Sequence, residues 1–121
     1  MKIVDKYELA TMPFGTPFYR LDEYGNVGCG CEQGLCILLG NHFIDHNGKP
    51  FFNGVCYLEP DYDDEMYGHF VEGNLPKKFD LFSVDTDSND FDDNDKFLVL
   101  EPNELKFIID YLQECYNNIK D

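Results

Sequence analysis

Residues 97–120 read FLVLEPNELKFIIDYLQECYNNIK. The first four, Phe97 to Leu100, are an unbroken apolar run of the length of a buried strand. Pro102 then suits the first position of a helix, where a missing N–H costs nothing. Beyond it Leu105, Ile108, Ile109, Leu112, Cys115, Tyr116 and Ile119 recur at the three- and four-residue spacing of one helix face. Asn103, Glu104, Lys106, Asp110, Gln113, Glu114, Asn117 and Lys120 fall mostly on the other side. A strand that runs into an amphipathic helix predicts a sheet with a helix laid on it. The apolar stripe is read as the face that packs on that sheet, in preference to a face that docks a partner.

Upstream signals are shorter. Asp5 with Glu8 three residues on predicts a capped helix over about residues 5–11, closed by Met12-Pro13 because the residue before proline leaves the helical region. Phe14-Gly15-Thr16-Pro17 reads as a turn and Phe18 to Tyr24 as a strand. Residues 25–34 hold Gly25, Gly28, Gly30 and Gly34 and read as a loop. Leu35 to Leu39 has little polar interruption and predicts a central strand. Asn47-Gly48, between Phe43-Ile44 and Phe51-Phe52, predicts a hairpin with a type I′ turn, and the far strand runs from about Phe51 to Leu58. Residues 59–76 show no period and read as a long loop; Phe79 to Val84 reads as a strand. The expected fold is therefore α+β, one domain over residues 1–121. A single antiparallel sheet, flat or curved, carries a short N-terminal helix and a longer C-terminal amphipathic helix packed on it.

The 121 residues include 9 Lys+Arg and 24 Asp+Glu, a formal charge of −15. A 43% hydrophobic and 16% aromatic content separates the chain from disordered acidic tails. The charge argues against direct nucleic-acid binding and against anionic membrane surfaces. Residues 1–10 show no apolar signal-peptide core, and the five cysteines are an odd number, so a cytoplasmic setting with reduced thiols is expected. Cys36, Cys56 and Cys115 sit in apolar runs and read as small core residues. Cys29-Gly30-Cys31, with Cys36 or with His42 and His46, could supply four zinc ligands, but C-x-C is a poor match to the usual zinc knuckle.

The charge is regional. Residues 59–95 hold 13 acids against Lys77 and Lys78, which is −11 of the −15. Three readings compete for this segment: solvated loops that keep the chain soluble, a metal loop, and a surface that meets a basic partner. Asp85-x-Asp87-x-Asn89 fits the first positions of a calcium loop, but Asp90 and Lys96 stand where an EF-hand needs Gly and Glu, which leaves at most an irregular Ca²⁺ site. No cofactor is assigned. The partner reading rests on density. Duplex DNA carries one charge per ~1.7 Å, and a protein that occupies a nucleic-acid groove needs carboxylates at comparable density, with aromatics among them. The residues this selects are Asp61, Asp63, Asp64, Glu65, Asp85, Asp87, Asp90, Asp92 and Asp93, with Tyr62 and Phe91 as anchors.

No G-x-S-x-G, P-loop or dinucleotide fingerprint is present, and no catalytic residue is assigned. A Cys31–His69 nucleophile pair is the thiol-enzyme alternative. A small-ligand binder, such as a sponge for a nucleotide signal, would draw on Arg20, His42, His46, Lys49 and His69.

Lys2-Ile3-Val4-Asp5-Lys6, Met12-Pro13-Phe14-Gly15-Thr16-Pro17-Phe18, the Gly34-Leu35-Cys36-Ile37 strand and the closing Phe97-Leu98-Val99-Leu100 strand with its helix together resemble small accessory proteins of tailed bacteriophages and prophages. The resemblance covers about the first forty and last twenty-five residues in pattern. The acidic middle departs from it, so it assigns no functional residue. It implies a context, since many such genes encode inhibitors of bacterial defence. The leading expectation is a non-enzymatic phage-type inhibitor in the bacterial host cytoplasm. Its partner would be a basic host protein, such as a nucleic-acid-handling defence complex, met by an acidic surface that mimics DNA.

Overall fold

The computed structural model describes residues 1–21, 34–39, 43–60, 73 and 79–120. In chain order they form β1 (Lys2–Val4), α1 (Lys6–Leu9), β2 (Pro17–Arg20), β3 (Cys36–Leu39), β4 (Phe43–Ile44), β5 (Pro50–Phe51), β6 (Gly54–Pro60), β7 (Leu81–Val84), β8 (Phe97–Val99) and α2 (Pro102–Ile119). A 3-10 turn, Ser88–Asp90, lies between β7 and β8. Six strands make one sheet in the order β1-β8-β2-β3-β6-β7, every neighbouring pair antiparallel, and β4-β5 form a separate hairpin. The chain is α+β, as its residues predict. The interior place of β3, between β2 and β6, accounts for its lack of polar interruption.

The register stacks the core on one face. Val4 lies opposite Phe97, Phe18 opposite both Val99 and Cys36, and Leu38 opposite Val55. All seven are buried. Leu9 and Ala10 of α1, together with Phe52 between β5 and β6, close over this face, and Met12, Tyr57 and Phe91 pack around them. Helix α1 is where its cap puts it: the Asp5 carboxylate accepts from the Glu8 N–H at 2.8 Å.

Three expectations are corrected. The turn at Asn47-Gly48 is not type I′, because only Gly48 has positive φ (+77°). The Gly48 N–H donates to the Asp45 carbonyl and the Asp45 N–H to the Lys49 carbonyl, so a type I turn is followed by one left-handed glycine, with the Asp45 carboxylate accepting from the Asn47 and Lys49 amides. The strand expected from Phe51 to Leu58 is split: β5 stays in the hairpin, and Phe52 leaves the ladder to fill the core before β6 joins the sheet.

The third correction concerns α2. The helix spans the expected residues, but none of its side chains is buried. Leu105, Ile108 and Cys115 are half-buried, while Ile109, Leu112, Tyr116 and Ile119 stay exposed. Its start is fastened to β1, where the Met1 amino group donates to Glu104 and lies 3.0 Å from Glu101. The packing of this helix on the sheet is not what forms, and the reason is physical. The core face is already roofed by α1, Phe52 and the segment that holds the 3-10 turn. Periodicity specifies an apolar face, not the surface that covers it.

Candidate functional site

Residues 85–95 carry six carboxylates and no basic residue, yet they fold into a defined shape. Some of the carboxylates build it. Asp87 accepts from the Asn89 N–H at 2.7 Å, and Asp90 accepts from the Asp87 N–H at 2.8 Å, a reciprocal cap that closes the 3-10 turn. Asp95 accepts from the Asp92 N–H at 2.9 Å. Each carboxylate so used neutralises part of its charge against backbone dipoles, which offsets the repulsion expected from such a run.

The segment is then bolted to the core. Ser88 is buried; its N–H donates to the Phe52 carbonyl and its Oγ accepts from the Phe52 N–H, both at 3.0 Å. Beneath the turn lies Lys6, only 8% exposed. Its Nζ donates to the carbonyls of Ser88 at 3.0 Å and Phe91 at 2.7 Å, and is 3.5 Å from the Asp93 carboxylate. A lysine this buried is tolerated only when its ammonium is well partnered, as it is here. The Tyr7 hydroxyl donates to Asp93 at 2.6 Å. That bond, then Lys6, holds the Asp93 carboxyl below the usual range, while the same bond pushes the Tyr7 phenol up. At the far end Arg20 donates to Asp95 at 3.2 Å and lies 5.0 Å over the Phe91 ring.

Asp85, Asp90, Asp92 and Asp93 are exposed, and Asp87 and Asp95 are half-buried. Phe91 was expected to anchor a partner, but its ring is used inside the molecule, edge-on to Phe97 at 5.0 Å and tilted against Phe52 at 6.1 Å. It fastens the loop. Asp61, Tyr62, Asp63, Asp64 and Glu65 lie outside the described residues, as do Cys29, Cys31, His42 and His69.

Among the described residues no group of three or more His, Cys, Asp or Glu is placed to hold a metal ion. Cys36 is a core side chain whose thiol burial pushes up to about 12. Arg20, which a ligand binder would need, is already engaged by Asp95 and Phe91. His46 is exposed in the hairpin turn, and Lys49 lies 5.3 Å over the Tyr7 ring.

Comparison with family models, with curated proteins and with solved structures returned no match. Among the described residues, no helix is long and apolar enough to cross a membrane.

Motif reading misses Lys6, Tyr7 and Ser88, the residues that brace the site. The one local signal is Asp87 with Asp90 three residues on, a capping pattern that marks the turn. The partners of Lys6 are more than eighty residues away and carry no sequence signature.

Proposed function

We propose that this protein is a small acidic inhibitor that binds a basic groove on another protein by presenting carboxylates where that groove would hold nucleic acid. One observation carries the reading: the segment with the densest described charge is held rigidly by Lys6, Ser88, Phe91 and Arg20, with Asp85, Asp90, Asp92 and Asp93 left facing water. The bracing roofs the core and also leaves the outward carboxylates on an ordered backbone. A binding surface gains from that order, because side chains and backbone ordered beforehand lose less entropy on association. The contact residues are Asp85, Asp90, Asp92 and Asp93, of which Asp90 also caps the turn and Asp93 also accepts from Tyr7, while Asp87 and Asp95 shape the loop; the acids at 61–65 and Tyr62 are proposed as further contacts. The phage-type resemblance supplies the context, a basic nucleic-acid-handling protein of bacterial defence.

The test is capture from bacterial lysate on immobilised full-length protein at about 50 mM salt, with elution at about 500 mM, where screening shortens to a few ångströms. The Asp85→Asn/Asp90→Asn/Asp92→Asn variant runs alongside. A captured nucleic-acid-binding protein that elutes with salt, is lost with the triple variant and releases a labelled DNA duplex when the inhibitor is added supports the reading. Capture that is indifferent to both salt and the three substitutions refutes it.

A further inference from the structure

Helix α2 leaves in water an apolar face at the upper end of what a monomer ordinarily carries. Ile109, Leu112, Tyr116 and Ile119 are 52–78% exposed, Tyr111 flanks them, and Leu105, Ile108 and Cys115 are half-buried on the same stripe. At about 150–250 Å² for each aromatic side chain and less for the aliphatic ones, the exposed part is about 500–600 Å². Each partner in a stable complex buries ~800 Å², whereas the largest apolar patch on a typical monomer is about 300–600 Å². An 18-residue helix also gains little stability alone and depends on packing of its apolar face.

We propose that this face pairs two copies of the chain, antiparallel, about a two-fold axis at Leu112. Two observations select a second copy. The stripe is symmetric in spacing about Leu112: Ile109 and Cys115 lie three residues to either side, Ile108 and Tyr116 four, and Leu105 and Ile119 seven. A two-fold axis therefore sets apolar positions against apolar positions along the whole helix, the self-complementarity that a closed dimer requires. Second, a groove of about 470 Å³ opens beside the start of the helix, lined by Met12, Phe14, Pro17, Leu100, Leu105 and Ile109. Antiparallel pairing brings the partner copy's helix end, with Tyr116 and Ile119, to this groove, where Phe14 is 69% exposed on the rim.

Sedimentation velocity of the full chain reads the outcome. A species of twice the 14.1 kDa chain mass is expected at micromolar concentration, unchanged or tightened as salt rises because salt screens the like charges of the two bodies. That sign is opposite to the salt response of the acidic surface, so the dimer and the inhibitor reading fail separately. Leu112→Asp weakens the dimer at least about 100-fold, while the buried Cys36 thiol stays protected from iodoacetamide, which shows that the sheet remains folded. In a background with Cys29, Cys31 and Cys115 changed to Ser, Leu105→Cys and Ile119→Cys chains crosslink when mixed under mild oxidation and not when either is alone. A monomer at all concentrations, a dimer indifferent to Leu112→Asp, or crosslinking of either single variant with itself overturns the proposal. So does a monomer whose α2 amides resist hydrogen exchange, which would mean that the chain covers its own helix.

Discussion

Replacing Lys6 by methionine tests whether the acidic loop is held from below. Methionine keeps most of the apolar stem that lies under the 3-10 turn and removes the ammonium that donates to the Ser88 and Phe91 carbonyls. A hydrogen bond to a charged group contributes ~1.5–3 kcal/mol. The Ser88 bond is buried and its carbonyl loses its lysine donor; the Phe91 carbonyl is part-buried and water can replace the lysine there. Relief from burying an ammonium offsets some of the loss. The net is a destabilisation of about 2 kcal/mol, which for a domain of this size lowers Tm by about 8 °C. With eight tyrosines and no tryptophan, urea unfolding is followed by tyrosine fluorescence. Lys2→Met, which removes only an exposed pair with Glu8 at 3.8 Å, is the control and is expected to stay within about 0.5 kcal/mol. Hydrogen exchange should quicken at the Phe52 and Ser88 amides in Lys6→Met. If Lys6→Met is as stable as the control, or if it is destabilised while those two amides exchange as before, the loop is not held by this lysine.

Two further outcomes follow from the same contacts. Asp93 is held below its ordinary pKa by the Tyr7 hydroxyl and then Lys6, so its share of stability is present above the ordinary carboxylate range and fades as pH falls through the lowered value; Tyr7, raised by the same bond, contributes below about pH 10 and loses its share as pH rises through its own value. In Tyr7→Phe the Asp93 carboxyl, followed by carbon NMR, should titrate higher than in the wild type, and an unchanged midpoint would show that the bond does not form in solution. Cys36, buried and with its thiol at about 12, should escape iodoacetamide at pH 8 in the native protein and react once urea unfolds it; native labelling would mean that the β2-β3-β6 region opens.

The parts of the fold legible in the sequence were those with a repeating signal. The β8-to-α2 sequence, the Asp5 cap, the interior strand at Cys36–Leu39 and the hairpin at Gly48 each follow from spacing or from one residue with a special conformation. Three-residue β1 was too short to show a period, and Phe52 reads as strand although its role is to leave the sheet. For the site, composition located the charge but could not say which carboxylates face water. That division depends on Lys6, Arg20 and Ser88, whose partners are distant in the chain. Phe91 shows the limit well. An aromatic among acids looks like a partner anchor, and only three-dimensional packing reveals that Phe52, Phe97 and Arg20 already hold it.

The double duty of residues 85–95, outward charge and inward roof, divides the segment into positions with different freedom to vary. Ser88, Phe91 and Asp95 are committed to the interior and to Arg20, and Asp87 and Asp90 to the turn, whereas the Asp85 and Asp92 side chains hold nothing of the fold in place among the described hydrogen bonds and ion pairs. Lineages could therefore shuffle charge at the second set, retuning which target is recognised, without re-solving the folding problem. The first set would hold still underneath. Divergence among relatives of this protein should be concentrated at positions such as 85 and 92, on either side of a scaffold that stays fixed within the same eleven residues.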